Sequence, residues 1–133
     1  MKIEHLGIAV SDLESAIKTY ETLLGTPCYK REEVASEKVN TAFFQTGDSK
    51  VELLGATSPD SVIATYIQKR GEGLHHVAFE VEDIRAEMNR LKNEGFRLLM
   101  DEPKRGADNK LIAFVHPKSC NGVLLELCQT IRE

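Results

Sequence analysis

Two histidines and two glutamates recur at matched places in this 133-residue chain, and residues of those types can share a metal ion. His5 opens the run HLGIAV and His76 opens HVAFEV, 71 residues later; the same offset carries Asp12-Leu13 onto Asp83-Ile84. Glu52 lies inside VELL and Glu126 inside LLEL, two apolar runs near the ends of the two halves. A carboxylate in such a run needs a partner, because burying an unpaired charge is very costly. Imidazole and carboxylate without thiolate suit nickel, cobalt, manganese or zinc. Two neutral imidazoles and two carboxylates balance a divalent ion, so one carboxylate can leave it at low cost and act as a general base. A lone histidine is more often a packed core residue, but duplication of both residue types at matching strand positions favours the ligand reading.

The elements that must position these groups follow a repeated plan. Residues 2–10 alternate, with Leu6, Ile8 and Val10 facing a helix and His5, Gly7 and Ala9 on the opposite face. Ser11 and Glu14 read as a capping box, and Leu13, Ala16, Ile17, Tyr20 and Leu24 recur at helical spacing until Gly25. Strands are expected over 28–34, 39–47 and 50–54, the last two joined by the hairpin signal Gly47-Asp48-Ser49. Ser58-Pro59-Asp60 marks the start of a short helix carrying Val62, Ile63, Tyr66 and Ile67. The second half repeats the plan with a strand over 74–81 and a helix from Asp83 through Ile84, Met88 and Leu91 to Gly95. A strand in FRLLM, a polar loop over 101–110 and strands over 111–116 and 122–128 complete it. The fold class is therefore α+β, two β-α-β-β-β units in one domain over 1–133: a first unit 1–56, a linker helix 57–72 and a second unit 73–133.

Bulk properties narrow the function. A formal net charge of −4 with scattered basic residues gives no footprint for nucleic acid. Cys28, Cys120 and Cys128 have no CxxC spacing, so neither a disulfide framework nor a thiolate zinc site is expected. The opening MKIEHLG carries no apolar signal region and no apolar run reaches membrane-spanning length, so a cytoplasmic protein with no membrane partner is expected. His75 points to the strand face opposite His76 and reads as structural or exposed. Lys104, Arg105 and Lys110 in the polar loop, and His116 before Pro117, are candidate contacts to a substrate phosphate or carboxylate. The bland reading makes them solvated loop and turn residues.

Paired β-α-β-β-β units with histidine near the start and glutamate near the end of each resemble the vicinal oxygen chelate, or glyoxalase, superfamily, over nearly the whole chain. That resemblance implies a curved half-barrel sheet from each unit, around a metal cleft, with His5, Glu52, His76 and Glu126 as the four ligands. Two branches compete. GLHHVAFEV, DEPKRG and HPKSCNGVLLEL resemble methylmalonyl-CoA epimerases, whereas the His-Glu-His-Glu set and compact length resemble bacterial glyoxalase I, or lactoylglutathione lyase. Epimerisation needs acid-base groups on both faces of a carbon. Some epimerases carry a non-ligand glutamate where this chain has Thr41, with Glu37 nearby, and some carry glutamine in place of Glu52. Because the residues present suffice for it, glyoxalase I is the leading expectation: a methylglyoxal-thiol hemithioacetal converted through an enediolate to an S-lactoyl thioester. Glu126 is expected as the shuttling base, next to the polar loop, and Glu52 as the steadier ligand and second base. Nickel or cobalt is favoured over zinc or manganese, the partner is a small thiol adduct or an acyl-CoA, and a homodimer is expected. Epimerase is the alternative, and a non-enzymatic ligand-sequestering resistance protein of the same fold is the third reading.

Overall fold

The computed structural model of the chain describes residues 1–132. They form two compact units, one of His5–His75 and one of Met1–Glu4 with His76 onward.

In the first unit, β1 (Lys2–Val10, all but its first residues), α1 (Leu13–Leu24), β2 (Lys30–Val34), β3 (Val39–Thr46) and β4 (Ser49–Ala56) precede α2 (Val62–Arg70). The sheet order is β2-β3-β4-β1, antiparallel except that β1 runs parallel to β4. Alternation along the strands explains the core: Ala42, Phe44, Val51 and Leu53 pack with Val10 and with Ile17 of α1. Each large buried aliphatic side chain contributes roughly 1.5–3 kcal/mol. The residues between them, Phe43 and Glu52, face the other way. Gly47 and Asp48 form the tight hairpin between Thr46 and Ser49.

The second unit repeats this with β5 (Gly73–Glu80), α3 (Ile84–Asn93), β6 (Lys104–Arg105), β7 (Lys110–Val115) and β8 (Leu125–Thr130) in the order β5-β8-β7-β6. Here β5 runs parallel to β8, and Ala113, Val115 and Leu127 pack against Ile84, Met88 and Leu91 of α3. Both units have the β-α-β-β-β order expected from the repeat, with β6 of the second unit standing where a strand in FRLLM was expected.

Three local expectations change. The first residue capping α1 is Asp12, which accepts from the Ser15 amide at 3.1 Å, whereas the Ser11 amide donates to Glu72. Asp83 caps α3 identically, through Ala86 at 3.1 Å, so the cap belongs to the repeat. The linker helix is capped by Ser61 rather than Ser58, with Asp60 engaged by Lys38 and Ser58. FRLLM is not a strand: a single bridge joins Leu98 to Val115, while Phe96, Leu98 and Met100 pack on the α3 core. The loop over 101–110 is also more ordered than its composition suggests. It contains β6 and a hairpin in which the Gly106 amide donates to the Lys110 carbonyl at 2.9 Å. A Cβ on Gly106 would lie 2.8 Å from Ile112 Cδ1, so any larger residue there would have to displace the Ile112 side chain. Among the described residues no helix is long and apolar enough to cross a membrane.

Candidate functional site

In the first unit, β1 and β4 bring His5 and Glu52 together through their register. Gly7 is the parallel partner of Glu52, two residues beyond His5 and on the same strand face. Gly7 has no side chain to fill that place, and the Glu52 carboxylate reaches along the strand until its Oε1 lies 3.2 Å from His5 Nε2. Both residues are buried, at 6% and 5% exposure.

The second unit solves the problem in the same way. Ala78 is the parallel partner of Glu126, again two residues beyond the histidine and again small. His76 Nε2 lies 3.3 Å from Glu126 Oε1, and both side chains are buried. The sequence offset of 71 between the histidines becomes 74 between the glutamates, because the turn from β7 to β8 is three residues longer than the hairpin from β3 to β4.

The donor chemistry of these pairs fits a divalent ion. Each pair offers one imidazole nitrogen and one carboxylate oxygen in a buried setting, the combination that first-row divalent ions accept. Cys128 follows Glu126 on the same face, but burial, and then the nearby Glu126 and Glu4 carboxylates, push its thiol far above the usual range. Its Sγ donates to the Phe79 carbonyl, and it offers no thiolate. A carboxylate in this setting can bind a cation and can also take up a proton.

The other residues named from the sequence are placed differently. Lys104 and Arg105 are exposed on edge strand β6. Lys110 is buried instead: its Nζ donates to Thr130 Oγ1 at 2.7 Å and lies 3.9 Å from Glu4. His116 accepts from the Lys118 amide at 3.0 Å through Nδ1, closing the turn after β7. Thr41 is buried and donates its hydroxyl to the Glu32 carbonyl at 2.8 Å, and Glu37 sits in the short helical turn between β2 and β3. His75 stands edge-on to Tyr66 at 4.9 Å, and burial lowers its pKa.

One duplicated pair was missed in the sequence. Phe43 is the cross-strand partner of Glu52, and Phe114 is the cross-strand partner of Glu126. The signal was present: Ala42-Phe43 maps onto Ala113-Phe114 with the same offset of 71. Phe114 meets the His76 ring edge-on at 5.9 Å, so each glutamate has an aromatic neighbour on its own sheet face.

Residues 4–114 match the family model of the glyoxalase/bleomycin resistance protein/dioxygenase superfamily. The mitochondrial methylmalonyl-CoA epimerase of Homo sapiens is 40% identical over 129 residues, 96% of this chain and 73% of that protein. An ethylmalonyl-CoA/methylmalonyl-CoA epimerase of Cereibacter sphaeroides is 40% identical over 130 residues, 96% of this chain and 97% of that protein. A variant of the Streptomyces coelicolor methylmalonyl-CoA epimerase, solved with 2-nitronate-propionyl-CoA, superposes with a TM-score of 0.92 at 36% identity, covering 99% of each chain. These similarities correct the expectation of glyoxalase I, since a probable lactoylglutathione lyase of Vibrio cholerae matches at only 28% identity over 96% of this chain and 90% of that protein. The His-Glu-His-Glu set and compact length, from which glyoxalase I was expected, are outweighed by similarity to epimerases over nearly the whole chain. The epimerase resemblance of GLHHVAFEV, DEPKRG and HPKSCNGVLLEL points the same way as these similarities.

Proposed function

This chain belongs to the glyoxalase/bleomycin resistance protein/dioxygenase superfamily, and from that membership we propose that it epimerises a 2-alkylmalonyl-CoA thioester, methylmalonyl-CoA first and ethylmalonyl-CoA second. One observation carries the reading: each unit holds a buried carboxylate beside an imidazole in the same register, at 3.2 and 3.3 Å. Epimerisation needs two acid-base groups for one carbon, and a duplicated carboxylate supplies two.

In this proposal His5, Glu52, His76 and Glu126 together hold one divalent cation, nickel or cobalt before zinc or manganese, supported by donor chemistry and duplication. When bound, that ion supplies Lewis-acid polarisation of the thioester carbonyl. Glu126 takes the α-proton of one epimer as its carboxylate and becomes the neutral acid, while Glu52, which begins as the neutral acid, gives its own proton to the other face of the planar carbon and is left ionised. The opposite epimer runs with the roles exchanged. Thr41 takes no part in proton transfer, because its hydroxyl is committed to Glu32 and is far too weak an acid. The acyl-CoA rather than a free acid is the substrate class, and exposed Lys104 and Arg105 suit its phosphates.

The test is metal-loaded protein incubated with one epimer of methylmalonyl-CoA in D2O. Inversion with incorporation of solvent deuterium at the α-carbon is expected. Recovery of the starting epimer with its α-hydrogen intact refutes the reading.

A further inference from the structure

We infer that Phe114 sets the size of the α-substituent this protein accepts, an inference that rests on the epimerase reading above. Two epimers of a 2-alkylmalonyl thioester differ only in which side of the α-carbon carries hydrogen and which carries the alkyl group. With thioester and carboxylate held alike, the epimer that presents hydrogen to Glu126 points its alkyl group away from the second unit. The other epimer places its alkyl group where that hydrogen stood, in front of Glu126. An enzyme that interconverts the two must accommodate both, so whatever stands beside Glu126 limits the alkyl group.

Phe114 stands there. It is the cross-strand partner of Glu126, its ring lies edge-on to His76 at 5.9 Å and 87°, and it packs with Ala78, Ile112 and Cys128. That apolar patch on the face carrying the base is the surface an alkyl group needs, and thioester and carboxylate have no use for it. Ala78 and Cys128 are 0% exposed, whereas Phe114 is only half-buried and is the largest member. Removing its ring therefore changes the space before Glu126 more than any other change in the patch. The counterpart in the first unit is held harder. Phe43 is 1% exposed, with the Tyr29 ring at 6.3 Å and the Lys30 ammonium 5.7 Å from its centroid, so Phe114 is the adjustable wall.

The measurement must respect the equilibrium between epimers, which ties together the kcat/KM values of the forward and reverse reactions for any one substrate. The informative quantity is instead the ratio of kcat/KM for ethylmalonyl-CoA to that for methylmalonyl-CoA, read for the metal-loaded parent, Phe114→Leu and Phe114→Ala. A hydrophobic pocket discriminates one methylene by about tenfold or more, so the ratio should rise about tenfold in Phe114→Ala and by less in Phe114→Leu. Metal content and melting temperature of Phe114→Leu should stay near the parent values, which separates a change of shape from loss of the fold. A parent that epimerises methylmalonyl-CoA, with the ratio unchanged in both variants, overturns the inference and leaves the epimerase reading standing. If Phe114→Ala does not fold, Phe114→Leu decides by the same ratio. A parent that epimerises neither thioester removes both.

Discussion

The two units carry the same histidine-glutamate pair but differ in what lies farther along the same strand faces. In the first unit, Ala9, Val39 and Leu54 form an apolar patch covered by Ile63 of α2, with Val34, Tyr66 and Ile67 around it. The equivalent register positions of the second unit hold Glu80, Lys110 and Cys128. No helix follows β8 among the described residues, and the patch is charged: Lys110 bonds Thr130 and faces Glu4, while Glu80 pairs with Lys2 at 3.4 Å. The histidine-glutamate pairs are thus duplicated while the rest of each face follows the local cover. Where a helix can be docked the face is apolar, and where none is available polar groups satisfy one another.

The largest effects should come from the equivalent glutamates. Glu52→Gln and Glu126→Gln each keep an oxygen ligand and remove the basicity, so epimerisation should fall about 10²–10⁴-fold in either variant. Solvent deuterium exchange without inversion should survive in both, in opposite epimers. Exchange lost for both epimers in one variant alone would make the halves unequal and leave a single base.

The aromatic neighbours should differ in stability. Phe43→Ala empties a fully enclosed site and should cost about 3–5 kcal/mol in denaturant unfolding. Phe114→Ala, at a half-buried site, should cost distinctly less. Equal losses would mean that the two walls are equally packed.

Lys110→Val installs the first unit's residue, Val39, at the matching place in the second unit. The change removes the buried cation that faces Glu4 and the donor to Thr130, for an expected loss of about 3 kcal/mol. A neutral or stabilising outcome would show that local cover does not explain the difference. The duplicated caps offer the opposite control. Asp12→Ala and Asp83→Ala should each cost about 1 kcal/mol, and equally, since both accept one amide at 3.1 Å.

The smallest effect belongs to the exposed pair of Lys38 and Asp60 beside α2. The hydrogen bond from Lys38, then that from Ser58, lowers the Asp60 pKa below its ordinary 3.8. A depressed carboxylate stabilises the fold above its unfolded pKa, and the contribution disappears as pH falls through the folded value. Lys38→Ala should therefore melt slightly below the parent at neutral pH and together with it in acid. A gap that widens toward low pH would contradict the assignment.

Much of the candidate site was legible because its repeat was legible. His5, Glu52, His76 and Glu126 stand out by residue type against apolar neighbours, and strand period alone puts each on the face away from its helix. Phe43 and Phe114 carried the same offset but escaped notice, since an aromatic residue in an apolar run looks like any core residue. Lys110 misled for the opposite reason. A lysine closing a charged loop reads as solvated, and only the pairing of β7 with β8 brings it to Thr130.

The sequence by itself determined the β-α-β-β-β plan except for one strand of the second unit, the helix-facing cores and the four candidate ligands, because these rest on local period and residue chemistry within a few positions. Tertiary structure alone decided which small residue lets each glutamate reach its histidine, and which aromatic stands beside it. It also decided how the 101–110 segment folds and which face α2 covers. The reach of each glutamate depends on parallel strand register between residues more than forty positions apart, which no local pattern encodes, whereas the aromatic neighbours and the 101–110 hairpin depend on antiparallel register set by how each turn closes.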